Sequence, residues 1–325
     1  MSQDTLDLVV RGLRQESTNV MSLELSLPDG GSLPQWEPGA HLEVILPSGL
    51  VRHYSLCSDP RELQNYRLAV LRETDGRGGS EELHSQTRLG TKLSARRPRN
   101  HFKVEDGATH YLLVAGGIGI TPIMAMAREL TAAGKSMRLV YCGSSRQTMA
   151  FISELQEVMG DSLALYPRDE RGRADLLTEI KNAPAGTAVY ACGPERLLTD
   201  LQDITAATLG PDAFHAELFA AATPPAPTED AADAAADAPF EIELRQSGCT
   251  LTVPPEKSIL DVVLEVNPSF MSSCEEGFCG TCETKVLEGE VEHRDTILSQ
   301  KERARNDTMF ICVSRSKCPK LVLDA

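Results

Sequence analysis

Long apolar runs are missing from this 325-residue chain, and no stretch of about 18 such residues offers a membrane-spanning helix. The opening residues, MSQDTLDLVVRGLRQ, lack the basic-then-apolar build of a secretion signal. Positive charge is also scarce. Lys and Arg total 32 against 47 Asp and Glu, a formal net charge of −15. That balance argues against nucleic acid, whose phosphates need clustered cations. It suits a soluble chain that meets its partners through charge. The nine cysteines are an odd number with no disulfide-framework pattern. The reading is a reduced, cytoplasmic protein in which some thiols serve metal or redox chemistry. No internal repeat is visible, and the length suits two or three domains.

Three textures follow one another, with one interruption. Up to about residue 105, apolar and polar residues alternate in short runs (LDLVVRGL, HLEVILP, YRLAVLRE) between turns such as LPDGGSLP. Period-two alternation with regular turns predicts antiparallel strands closed into a small barrel. Over 106–219 the runs become continuously apolar (YLLVAG, MRLVYCG, LALYP, TAVYACG). Helical patterns separate them, expected over Pro122–Ala133 and Thr148–Met159. Short apolar strands alternating with helices predict a parallel α/β sheet. Residues 220–239, AAATPPAPTEDAADAAADAP, hold no aromatic or branched apolar side chain and read as a flexible linker. From 240 to 325 comes a hairpin pattern, FEIELRQSGCTLTV, then a helix, SILDVVLEV, then a loop dense in Cys and Gly.

That loop, SSCEEGFCGTCE, spaces Cys274, Cys279 and Cys282 as C-x4-C-x2-C, and Cys312 follows after 29 residues in the strand-like MFICVSR. One tight loop plus a distant anchor is the plant-type arrangement for a 2Fe–2S cluster. Gly277 and Gly280 fit it, because a loop wrapped on sulfide needs positive φ and a bare backbone. Zinc is the competing reading, although zinc ligands come as two close pairs. Cys318, six residues past Cys312, is a rival fourth ligand, and Cys249 reads as a plain thiol in a hairpin turn.

Arg52-His53-Tyr54-Ser55 sits between two strand patterns. Arg and Tyr two apart share a strand face, and together they offer a guanidinium for phosphate and an aromatic wall for a flat ring. Alone, the pair also reads as two surface residues. Gly76-Arg77-Gly78-Gly79-Ser80 precedes a helical pattern, so its amides could meet a phosphate; a surface turn is the plain alternative. YLLVAGGIGITP is a strand, a glycine turn and a helix start with Pro122 in its first turn. Such a turn lets a pyrophosphate approach the backbone, or it is only a tight strand–helix connection. Ala191-Cys192-Gly193-Pro194 repeats the device after a later strand.

In this order, RHYS, GRGGS, GGIGITP, ACGPE and CEEGFCGTC resemble the phthalate dioxygenase reductase family of the ferredoxin–NADP reductase superfamily. The resemblance covers nearly the whole chain apart from the linker. It implies a multidomain oxidoreductase: an FMN-binding β-barrel (1–105), an NAD-binding α/β domain (106–219) and a C-terminal β-grasp ferredoxin (240–325). Electrons would pass from NADH through FMN to the 2Fe–2S cluster. They would go on to the terminal Rieske oxygenase of a two-component aromatic dioxygenase or O-demethylase system. The alternative acceptor is a cytochrome monooxygenase. A monomer is expected, with no nucleic-acid or membrane partner. Carried over by position, Arg52 would meet the flavin phosphate, and His53, Tyr54, Ser55, Ala69 and Val70 would line the flavin. Gly78, Gly79 and Ser80 would cradle the phosphate, with FMN rather than FAD implied by GRGGS. Gly116, Gly117, Gly119, Thr121 and Pro122 would hold the NADH pyrophosphate. Cys192, Gly193 and Pro194 would lie under the nicotinamide, and Phe219 would shield the flavin. Ser55, Cys192 and Phe219 are the candidates nearest the chemistry. In YCGSSRQT, where the adenosine ribose is expected, no acid is present and Arg146 is available. NADH is nevertheless the expected donor, on the resemblance.

Overall fold

The computed structural model describes residues 5–74, 76, 78–219, 238–268, 270–272, 274–277, 280–298 and 300–325. Most of the expected linker, 220–237, lies outside the described residues, as does Cys279. The chain divides into two compact units, residues 1–219 and 220–325.

The first unit opens with β1 (Thr5–Ser17), β2 (Val20–Ser26), β3 (His41–Ile45), β4 (Val51–Ser55) and β5 (Tyr66–Leu71), then α1 (Gly79–Gln86) and β6 (Lys92–Arg96). The six strands form one antiparallel sheet in the order β4-β3-β6-β1-β2-β5. The open edges meet through the bridge Leu56 to Leu68, with Cys57 N donating to Arg67 O at 2.9 Å. The sheet therefore curls into a barrel, as the alternation predicts. Leu8, Val10, Leu23, Leu25, Leu42, Leu56 and Leu68 fill its interior.

The same unit continues through β7 (His110–Gly116), α2 (Ile120–Ala132), β8 (Met137–Gly143), α3 (Ile152–Met159), β9 (Leu163–Pro167), α4 (Arg168–Arg171), α5 (Leu176–Lys181), β10 (Thr187–Cys192), α6 (Glu195–Thr208) and β11 (Phe214–Glu217). These strands pair in parallel in the order β11-β10-β7-β8-β9. Helices on both faces explain why β7 and β10 read as apolar runs instead of alternating. Helix α3 starts four residues later than expected. Phe151 takes the left-handed conformation, φ 62°, and breaks the helical path after a short 3-10 turn, Arg146–Thr148.

The barrel and the parallel sheet share a core. Val20, Ala69 and Phe102 pack in one cluster with Ile123, Tyr141, Tyr190 and Cys192. A mostly buried ion network reinforces the join. Arg67 on β5 is 13% exposed and donates to Glu154 of α3 at 2.8 and 2.9 Å and to Glu16 of β1 at 2.7 Å. Arg128 of α2 reaches the same Glu154 at 2.9 Å, and the Arg67 guanidinium lies 4.7 Å from the centre of the Phe151 ring.

The second unit contains β12 (Phe240–Leu244), β13 (Cys249–Val253), α7 (Ile259–Val266), β14 (Glu283–Glu288), β15 (Val291–Glu292), α8 (Gln300–Arg305), β16 (Thr308–Phe310), β17 (Arg315–Ser316) and β18 (Lys320–Leu323). The main sheet runs β13-β12-β18-β14-β16, with β12 and β18 parallel. Helix α7 is set by a reciprocal cap: Ser258 Oγ accepts from Asp261 N at 3.0 Å while Asp261 Oδ2 accepts from Ser258 N at 2.8 Å. Its residues Ile259, Leu260, Val262 and Val263 are buried in the unit's core with Ile242, Phe310 and Leu321. A hairpin, a capped helix and a parallel central pair make the β-grasp expected here.

Candidate functional site

On β4, alternation sends Arg52 and Tyr54 to one face and His53 and Ser55 to the other. The register places Tyr54 opposite Leu42 and Arg52 opposite Val44, two core residues. Arg52 then lies along the start of α1: a Cβ built on Gly79 would stand 2.5 Å from Arg52 Nε and 2.7 Å from its Cγ. Gly78, with φ 80°, turns the chain into the helix without any side-chain cap. Helix-start amides beside a guanidinium can receive an anion, and the missing side chain at 79 leaves the Arg52 side chain its place there. Ser80 has a second task, since its Oγ accepts from Glu73 N at 3.1 Å and closes the loop from β5.

Tyr54 is partly buried, and burial holds its hydroxyl in the protonated form. Ser55 is buried at the strand end. His53 shares the face of Ser55. Its ring packs 5.1 Å from that of His41, on the face opposite Arg52 and Tyr54. Ala69 and Val70 lie buried on β5, and Val70 O accepts the His84 ring at 2.9 Å.

The nucleotide motifs meet backbone to backbone. A Cβ on Gly116 would stand 2.7 Å from Pro194 Cδ, and one on Gly193 would stand 3.0 Å from Gly116 Cα. A side chain on Gly119 would collide with the Cys192 carbonyl. The turns after β7 and β10 therefore close on each other at the carboxyl ends of their strands, where doubly wound sheets bind ligands. Helix α2 begins without a side-chain cap, and Thr121 Oγ1 donates to Ile118 O at 3.0 Å instead. Pro122 sits in the first turn, where no N–H is needed. Cys192 is fully buried, which keeps its thiol protonated. Phe219 is 40% exposed.

One residue escaped the sequence reading. Glu217 ends β11 directly beside Cys192 in the parallel register. Its Oε2 is enclosed and has no hydrogen-bond partner among the described residues. Burial pushes this carboxyl up to about 8. An acid at the carboxyl end of a short parallel strand, FHAE, was the available signal.

In the second unit Cys274, Cys282 and Cys312 are all buried. The Cys312 thiol lies within hydrogen-bonding reach of the other two, and this crowding pushes it far above its ordinary range. Three thiols so gathered ionise together only around a cationic centre, so the donor set fits an iron–sulfur cluster. The described residues do not complete a donor set by themselves, because Cys279 lies outside them. Gly277 adopts φ 74° against Val313, next to Cys312, as a cluster-wrapping loop requires. Cys318 is engaged elsewhere, accepting from Glu290 N at 3.2 Å with Ser316 Oγ 3.3 Å away.

Comparison with known proteins agrees with this geometry. Residues 242–317 match the family described as a 2Fe-2S iron-sulfur cluster binding domain. Residues 91–212 match the N-terminal domain of dimethylamine monooxygenase subunit DmmA-like proteins. The vanillate O-demethylase oxidoreductase of Pseudomonas putida is 38% identical, over 98% of this chain and 99% of its own. The solved phthalate dioxygenase reductase, described as a modular structure for electron transfer from pyridine nucleotides to [2Fe-2S], is 35% identical, with TM-score 0.69 and coverage of 99% and 98%. The chain belongs to the phthalate dioxygenase reductase family. As a member of that family it is an oxidoreductase with a C-terminal 2Fe–2S domain. An intact type IV self-sufficient cytochrome P450 monooxygenase also matches, at 39% identity and TM-score 0.91, and covers 99% of this chain. The chain spans only 41% of that larger protein. Among the described residues no helix is long and apolar enough to cross a membrane.

Proposed function

We infer that this protein is an NADH-dependent reductase that passes electrons through FMN and a 2Fe–2S cluster to a terminal Rieske oxygenase. One observation carries the reading. Ala69 of the barrel, Ile118 of the glycine turn and Cys192 at the end of β10 belong to one hydrophobic cluster, so flavin-side and nucleotide-side elements adjoin. FMN, when bound, supplies the exchange between the two-electron hydride of a nicotinamide and the single electrons that a cluster accepts.

The chain's own residues have separable tasks in this reading. Arg52 and the amides at Gly79 and Ser80 hold the flavin phosphate, which a monophosphate satisfies. Tyr54 and Ala69 would flank the ring, and Ser55, buried at the end of β4, would meet its edge. The opposed turns Gly116–Gly119 and Cys192–Pro194 would receive the nucleotide, and Phe219, 40% exposed at the end of the unit, would shield the flavin. Cys192 and Glu217, both protonated at neutral pH by burial, keep negative charge away from the point of hydride transfer. Residues 1–105, 106–219 and 240–325 carry flavin, nucleotide and cluster in turn, with Cys274, Cys279, Cys282 and Cys312 as ligands.

An anaerobic titration tests the reading. NADH should bleach the flavin of the purified yellow-brown protein, and heating should release about one equivalent of FMN. Electron delivery to a Rieske oxygenase should be faster than to a cytochrome monooxygenase. The P450 relative gives the cytochrome its standing as the second acceptor. A protein without flavin, or one that favours the cytochrome, would overturn the assignment.

A further inference from the structure

The sequence after β8 offers a cation, Arg146, and no carboxylate for an adenosine ribose. The fold supplies the carboxylate from the next strand. Strands β8 and β9 pair in parallel with Gly143 opposite Pro167, so the segments leaving their carboxyl ends run side by side. Asp169 N donates to Ser144 O at 3.2 Å across that gap. Beyond it, Arg146 Nε donates to both oxygens of Glu170, at 3.1 and 2.9 Å. Both side chains are 46% exposed, so solvent and a ligand can reach them.

The sheet order fixes what this pair faces. Reading β10-β7-β8-β9, the nicotinamide end belongs at Cys192 beside the barrel, and the pyrophosphate at the turn after β7. The adenosine would then extend over the carboxyl ends of β8 and β9. The surroundings there are basic in an acidic protein. Arg146, Arg168, Arg171 and Arg173 stand against Asp169, Glu170 and Asp175, the last of which caps α5 by accepting from Thr178 N at 3.1 Å. Arg171 is already committed, donating to Leu165 O at 3.0 Å and covering the Tyr166 ring at 4.7 Å. Without Glu170, the cations would welcome a 2′-phosphate.

We propose that Glu170, by holding Arg146 and presenting its own carboxylate to the ribose, makes this reductase select the nucleotide with a free 2′-hydroxyl. A carboxylate accepts hydrogen bonds from ribose hydroxyls and repels a phosphate. The guanidinium would have to leave Glu170, or share it, to meet a phosphate, and the carboxylate would stay beside that phosphate. The proposal rests on the reading of this unit as a nucleotide-dependent flavin reductase.

The test uses the full-length holoprotein and its Glu170→Gln, Arg146→Ala and double variants. Flavin reduction gives kcat/KM for NADH and NADPH, and calorimetry gives the affinities of 5′-AMP and 2′,5′-ADP without turnover. The wild type should prefer NADH and bind 2′,5′-ADP no more tightly than 5′-AMP. Glu170→Gln should cut the NADH/NADPH ratio at least tenfold, chiefly through a lower KM for NADPH, and tighten 2′,5′-ADP by a similar factor. The double variant should lose that gain. A wild-type preference for NADPH, a ratio moved less than twofold by Glu170→Gln, or a gain that survives Arg146→Ala overturns the proposal. If neither nucleotide reduces the flavin, the reductase reading is what fails, and the two adenosine phosphates still decide the role of Glu170.

Discussion

Replacing Gly79 with Ala should release the flavin while leaving the fold in place. The new methyl would stand 2.5 Å from Arg52 Nε, 2.7 Å from Cγ and 3.0 Å from Cδ. Those are atoms of a flexible side chain, so the arginine would swing aside and the helix would remain. What is lost is the contact between guanidinium and phosphate. A charge-assisted hydrogen bond is worth about 1.5–3 kcal/mol, which converts to a dissociation constant roughly 10- to 150-fold weaker. The neighbouring Gly78→Ala separates strain from collision. Its Cβ would meet nothing within 4 Å, but φ is 80°. It should lower stability by about 1–2 kcal/mol through the left-handed backbone, with a smaller effect on flavin. The assay is FMN fluorescence quenching on titration into flavin-free protein, paired with urea unfolding. If Gly79→Ala holds FMN within twofold of wild type, or if Gly78→Ala loses more flavin than Gly79→Ala, the cradle is misassigned.

Two further outcomes follow from other parts of the chain. Cys279→Ser should abolish the cluster's visible absorption and paramagnetic signal while NADH still bleaches the flavin; a normal cluster in that variant, with loss in Cys318→Ser instead, would reverse the ligand assignment. Glu217, held at about 8 when folded against an ordinary 4.5, favours the folded state fully at low pH. That contribution fades as pH rises from about 4.5 to 8, so wild-type urea midpoints should fall across this window relative to Glu217→Gln, and parallel profiles would refute the burial of a protonated carboxyl.

The sequence made the fold legible wherever a periodicity had a single structural cause. Alternation in LDLVVRGL marks a barrel strand with one wet face, and unbroken YLLVAG marks a strand covered on both sides. The start of α3 was not legible, because nothing in MAFISEL announces that Phe151 adopts a positive φ. Motifs confined to one loop offered a signal in their spacing, as with Cys274 and Cys282, whereas the fold is what carries Cys312 to them from beyond β16. Sites assembled across strands offered none. Glu217 meets Cys192 only through the pairing of β10 with β11, and Glu170 meets Arg146 only through β8 and β9. His53 is a motif member by position whose ring the strand alternation turns to the face opposite Arg52 and Tyr54, beside His41.

The salt-bridge knot around Arg67 bears on how such reductases can be recombined. A graft that joined this barrel to the nucleotide half of a relative would cut between Arg67 and Glu16 on one side and Arg128 and Glu154 on the other. Unless the incoming half carried a matching pair, Arg67, 13% exposed at its side chain, would keep Glu16 but lose Glu154 in a largely dry interface. Breaking a buried pair costs about 3–5 kcal/mol, a large share of a domain's whole stability. The natural seam for chimeras is therefore after Phe219, where the first compact unit ends, and the barrel and parallel sheet are best exchanged as one piece.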